Sequence, residues 1–139
     1  MLRQAAATIT VDTRGRGLFE ITSEISVWVA GTEISNGLLT GFCATRRPAC
    51  WSRRTPTRMC GPISSAFSRL VPDGDPLFRH RVEGPDDMPA HVRAALTSVQ
   101  LSIPVSHRRL VLGTWQGIYV WEHRLRPHRR EVALHLLGE

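Results

Sequence analysis

The sequence predicts an α+β fold with an antiparallel sheet, in one domain spanning residues 1–139. Three observations point there. Most strand-like segments come late in the chain, and two helical stretches are interspersed among the strands. A length of 139 residues suffices for one domain and one core. No internal repeat or flexible linker divides the chain.

Taken in order, residues 6–12 (AATITVD) alternate apolar and polar, the pattern of a half-buried strand. RGRG is a turn, and LFEI (18–21) reads as a second strand. TSEISVWVAGT then changes period. Ile25, Trp28 and Val29 share a helical face, Thr22 or Ser23 can cap, Glu24 sits in the first turn, and Gly31 ends the helix. GLLTGF (37–42) reads as a buried strand. RLVPDGDP is a loop around a Pro-Asp-Gly turn. GPDDMPAHVRAAL starts a helix, with Asp86 and Asp87 as acidic caps and Pro89 in the first turn. VQLSIPV, RRLVLG, GIYVWEHR and REVALHLL follow as four strands.

Residues 44–66 stand apart. They carry Arg46, Arg47, Arg53, Arg54 and Arg58 and no carboxylate. Pro48, Pro56 and Pro62 interrupt both the helical and the strand period, so irregular structure exposing Cys50 and Trp51 is expected. The chain's net charge of +6 belongs to this segment, since outside it 13 arginines face 12 carboxylates. Lysine is absent, which points to a GC-rich coding sequence. Cys43, Cys50 and Cys60 fit no zinc spacing, and an odd count argues against a disulfide framework. The basic segment with Trp51 could be a nucleic-acid loop, but its patterning makes nucleic-acid binding the weaker expectation. Apolar runs are too short for a transmembrane helix, so no membrane partner is expected. The N-terminus has no apolar stretch of signal-peptide length, and a cytoplasmic location is the default.

Three constellations could carry chemistry. His80, Glu83, Asp86, Asp87 and His91 place two imidazoles beside three carboxylates, a set suited to a divalent metal or acid–base work. The plain alternative is that the acids cap a helix and the histidines are surface residues. Gly113 and Gly117 bracket Thr114, Trp115 and Gln116, offering close backbone approach and neutral hydrogen bonds. The alternative there is a hairpin turn with a core tryptophan. EHRLRPHRR, with His123, His128 and four arginines, reads as a solvated face between two strands.

The segments TITVDTRGRGLFEIT, ISNGLLTGF, EGPDDMPAH and LVLGTWQGIYVWEHR are similar to those of the YjbQ family, proteins often described as secondary thiamine-phosphate synthases. The likeness covers the chain except 44–66. VSHRRL departs from it, with His107 and Arg108 where the family has an Asp-Gly turn, so a looser hairpin is expected. The resemblance implies an α+β sandwich of mainly antiparallel strands with two or three helices, and a homotrimer with sites near subunit interfaces. It implies a small phosphorylated substrate and a divalent metal, magnesium or zinc. By matching position, His80 and His91 are the metal or acid–base candidates. Asp87 joins the catalytic set, Asp86 and Glu83 orient it, and Glu122 anchors the pocket. Thr114, Gln116 and Gly117 line that pocket. The activity implied joins hydroxymethylpyrimidine diphosphate to a thiazole phosphate and releases pyrophosphate.

The family's central histidine-threonine motif, Glu-Asn pair and acidic amphipathic helix are missing, and Thr45 stands where the resemblance puts a third histidine. An out-of-frame reading accounts for this. Shifting the frame by one base across codons 44–66 is compatible with RHTSASLLVQENADPDVRADLER, which has the same length and the family pattern. The re-read chain has three arginines and five acids in the segment, bringing the net charge to about −1. The alternative reading is a non-catalytic oligomeric remnant of the family, or a basic-loop nucleic-acid binder using the segment as it stands.

Overall fold

The structure, a computed structural model, describes residues 1–44, 48–54 and 65–139, the stretch 48–54 by its backbone. In chain order come β1 (Arg3–Thr13), β2 (Gly17–Glu20), α1 (Thr22–Gly31), β3 (Gly37–Cys43) and β4 (Pro48–Arg54). Helix α2 is described over 65–70. Then follow α3 (Asp87–Leu96), β5 (Gln100–Ser106), β6 (Arg109–Leu110), β7 (Gln116–Glu122) and β8 (His128–Gly138). One sheet has the order β1-β8-β3-β5-β6 and the other β2-β7-β4, every pair antiparallel. This is the α+β class expected.

Alternation in the sequence decides which face of each strand turns inward. Val11 on β1, Leu39 on β3, Ile103 and Val105 on β5, and Val132, Leu134 and Leu136 on β8 form the inner face of the five-stranded sheet. They meet Ile118 and Val120 of β7, and Ile25 and Val29 on one face of α1. Burying each such side chain contributes about 1.5–3 kcal/mol. β7 is buried on both faces. Its other side carries Trp121, which packs on Phe67 of α2 with ring centroids 5.0 Å apart. No helix among the described residues is long and apolar enough to cross a membrane.

Several local expectations change. Residues 48–54 form a regular strand, not irregular structure, because β7 offers a free ladder that any extended backbone can join: Pro48 pairs with Glu122 and Arg54 with Gln116. The exposure of Cys50 and Trp51, and residues 57–64, lie outside the described residues. Cys43 is buried and disulfide-bonded, despite the odd cysteine count. The strand expected over RRLVLG shrinks to Arg109–Leu110, because the Leu112 N–H turns back to the Leu110 carbonyl (3.0 Å). The helix caps also differ. Thr22 is inside α1 and its hydroxyl accepts the Ile118 N–H (2.8 Å), tying helix to sheet. The β5–β6 hairpin is tight, with His107 (φ 50°) and Arg108 (φ 60°) both left-handed at its two-residue turn.

Candidate functional site

The polar chemistry gathers where β7 ends. Ile118, Val120 and Glu122 share the core-facing side of β7, so Glu122 continues an apolar row and is fully buried (0% exposed). Its charge is met from the opposite sheet. Arg130 of β8 donates Nε to Glu122 Oε2 (2.7 Å) and Nη2 to Oε1 (2.8 Å). The Thr13 hydroxyl at the end of β1 donates to Oε2 (2.9 Å), and the Arg124 N–H donates to Oε1 (3.0 Å). Burial pushes the Glu122 carboxyl up, but Arg130, the Arg124 N–H and Thr13 together outweigh it and hold the group below its usual range. His128 Nδ1 lies 3.9 Å from Oε2.

Arg124 then ties this end of β7 to the start of α3. Its Nε donates to Asp86 Oδ2 (2.9 Å), Nη1 to Asp87 Oδ1 (2.9 Å) and Nη2 to the Glu83 carbonyl (2.9 Å). Asp86 Oδ2 also accepts the Leu125 N–H (2.9 Å). Asp86 occupies the N-cap position of α3, yet its side chain makes no cap bond because it is committed to Arg124. Burial raises the Asp86 carboxyl, and the Leu125 N–H and Arg124 more than reverse that, leaving it lowered. Asp87 Oδ2 lies 3.8 Å from His91 Nε2, one helical turn on.

On the other face of β7, His123 and Arg93 are buried together, each about 1% exposed. Arg93 of α3 donates to the Val71 carbonyl, to Asp73 Oδ1 (3.2 Å) and to the His123 carbonyl (3.4 Å). Arg16 donates to that same carbonyl (3.1 Å) and to Asp73. The imidazole packs 5.1 Å from the Trp121 ring. Burial, then the charge of Arg93, lower the His123 pKa to about 3, so the ring is neutral at ordinary pH.

Beside Arg124 opens a cleft of about 470 Å³ lined by Arg81, Glu83, Asp86, Arg124 and Arg126. Glu83, Asp86, Asp87 and His91 therefore gather around Arg124, and Glu122 lies directly behind, locked in its own network rather than facing the cleft. His80 is exposed on the preceding loop. Among the described residues no three His, Cys, Asp or Glu side chains are placed together to hold a metal. Thr114, Gln116 and Gly117 sit elsewhere, at the opposite end of β7. Six residues of extended chain put Gln116 about 20 Å from Glu122. There, Gln116 Oε1 accepts the Gly113 N–H (2.7 Å), and a Cβ on Gly117 would come 2.8 Å from Glu20 Oε1.

Residues 122–124 and 130 were expected on a solvated face and are instead buried. Arg93 was not singled out in the sequence, and Arg124 and Arg130 were read only as arginines of that solvated face. The one signal was Glu122, on the core-facing parity of an otherwise apolar strand, which demands a buried cation.

A family model described as UPF0047 protein YjbQ-like matches residues 7–139. The chain is 39% identical over 138 residues to a UPF0047 protein of Synechocystis sp., covering 99% of this chain and 94% of that one. It is 36% identical to the UPF0047 protein YjbQ of Salmonella typhimurium, covering 95% and 96%. Among solved structures, a hypothetical protein of Aeropyrum pernix K1 superposes with a TM-score of 0.88 at 28% identity, covering 97% and 99%. A YbjQ-like protein of unknown function from Sulfolobus solfataricus gives 0.89 at 23% identity over the full length of both, a likeness of fold.

Proposed function

The chain belongs to the UPF0047 YjbQ-like family, and from that premise we propose that it is a thiamine-phosphate synthase-type transferase, impaired by the segment over 44–66. In the reaction the thiazole nitrogen lone pair forms a bond to the pyrimidine methylene carbon. The carbon–oxygen bond to the diphosphate breaks, and pyrophosphate leaves with that electron pair. No oxidant is needed; the demand is for cations around the leaving group. The observation that carries the reading is the cleft in which Arg81, Arg124 and Arg126 converge. Arg124 is already outweighed by Asp86, Asp87 and Glu83, the last 4.0 Å away. Arg81 and Arg126 are thus the cations left to meet the leaving group, and His91, 3.8 Å from Asp87, is the proton donor in this reading.

Among the described residues of one chain no group of three His, Cys, Asp or Glu side chains is assembled for a divalent metal. Magnesium or zinc would be held by His80 and His91 together with further ligands from another copy of the chain. The separation of Gln116 from Glu122 favours the expected homotrimer. A pocket using Thr114, Gln116 and Gly117 together with Asp87 and His91 needs two different ends of the molecule to meet. Such head-to-tail contacts close into rings.

The frame change is part of the proposal, and the β4 register supports it. Positions 50 and 52 pair with Val120 and Ile118, whose side chains are core. This chain has Cys50 and Ser52 there, whereas the re-read segment has leucine and valine. It also restores histidine at position 45. The test of the cleft is pyrophosphate binding by calorimetry. Replacing Arg81 and Arg126 together with alanine should weaken it at least ~10-fold, since each charge-assisted contact contributes about 1.5–3 kcal/mol; unchanged affinity would remove the cleft from the reading.

A further inference from the structure

β1 is the first strand of its sheet and has a hydrogen-bonded neighbour on one side alone among the described residues. From this edge we propose that two copies of the chain join through β1, antiparallel, into one continuous sheet.

The backbone directions follow from the register. Asn36 and Glu139 exchange hydrogen bonds, and the Ala44 N–H donates to the Glu131 carbonyl, so the odd-numbered residues of β8 turn their backbone groups toward β3. The even-numbered residues of β8 therefore face β1, where they pair with odd-numbered residues such as Ile9, opposite Val132. Gln4, Ala6, Thr8, Thr10 and Asp12 are left with N–H and C=O groups aimed outward.

Edges of this kind are ordinarily blunted by proline, bulges or inward charge. β1 has none of these. Its register with β8 runs unbroken over 11 residues, and it is uncharged from Gln4 to Val11. The two charges at its ends are already paired within the chain, Arg3 with Glu33 (2.5 Å) and Asp12 with Arg129 (3.0 Å). On the inner face, Ala5, Ala7 and Ile9 stay half-buried while their β8 partners Leu136, Leu134 and Val132 are buried, as if a further strand were to continue the core.

A second β1 fits this edge. Overlap along the whole strand puts Thr8 on the twofold axis opposite its own copy. On the inner face Ala7 then lies opposite Ile9, and Ala5 opposite Val11, so each small side chain meets a large one. On the outer face Ala6 lies opposite Thr10. Every outward backbone group from Gln4 to Asp12 finds a partner in this register.

The experiment is the mass of the full chain by light scattering, beside Thr8→Pro and Thr8→Lys at equal concentration. The Thr8 N–H faces outward, so proline there removes no bond to β8; lysine sets like charges on the axis without touching the backbone. The wild type should have twice the mass of either variant. Equal mass for wild type and Thr8→Lys overturns the proposal. The absolute mass of the variants, one chain or three, reports separately on the ring.

Discussion

Replacing Arg130 with methionine should destabilise the protein by about 3–5 kcal/mol at pH 7, the usual cost of leaving one member of a buried ion pair behind. The magnitude follows from the surroundings of Glu122. Its carboxylate has no exposed surface, and two of its four hydrogen bonds come from Arg130. The Thr13 hydroxyl and Arg124 N–H remain in the variant, but neither carries charge to balance the carboxylate. For a domain of this size the loss corresponds to a fall of roughly 12–20 °C in Tm.

Acid pH separates this cause from lost packing. In the wild type the Glu122 carboxyl is held low, so its stabilisation is present above the unfolded value of about 4.3 and is lost as pH falls through the folded pKa. In Arg130→Met only the Thr13 hydroxyl and the Arg124 N–H still oppose burial, and the folded pKa rises. The variant is then relatively best protected at low pH and loses stability as pH rises through that raised value. The gap between the two proteins should narrow from pH 7 to pH 4 in urea unfolding. A cost below about 1 kcal/mol at pH 7, or a gap that ignores pH, would refute the electrostatic account.

Two further outcomes follow from the geometry. His123 is buried neutral with its pKa lowered to about 3, so the unfolded chain binds a proton that the native one refuses. Stability should fall by about 2 kcal/mol from pH 6.5 to pH 5, and His123→Gln should flatten that slope in denaturant titrations; an equal slope in both would assign the acid sensitivity elsewhere. Arg108 holds φ 60° at the hairpin turn. Arg108→Gly should raise the urea midpoint by the equivalent of about 1 kcal/mol, and a lowered midpoint would mean that the arginine side chain outweighs its backbone strain.

The strands with alternating apolar residues were readable because the side-chain period of two is itself the burial pattern. β1, β3, β5 and β8 lie within a few residues of where that period put them. β4 was not readable. Its place is set by the β7 ladder, and Cys50, Ser52 and Arg54 carry no alternation to announce it.

The site was legible in part. Asp86, Asp87 and His91 do come together, because a helix start brings successive turns onto one face. Gln116 and Glu122 looked adjacent in sequence, but an extended strand carries them to opposite ends of the sandwich. The buried arginines were illegible for a different reason. Nothing about an arginine's own neighbours says whether it is buried, since that depends on a carboxylate from another element: Glu122 for Arg130, Asp86 and Asp87 for Arg124.

The most direct measurement is thiamine phosphate formation from hydroxymethylpyrimidine diphosphate and thiazole phosphate. Three proteins are compared: the chain as it stands, the chain with 44–66 replaced by RHTSASLLVQENADPDVRADLER, and that repaired chain with His91→Ala. The repaired chain should make product, the original far less, and His91→Ala should lose most of the gain. A repaired chain that folds and makes no product, or one indifferent to His91, would contradict the transferase reading.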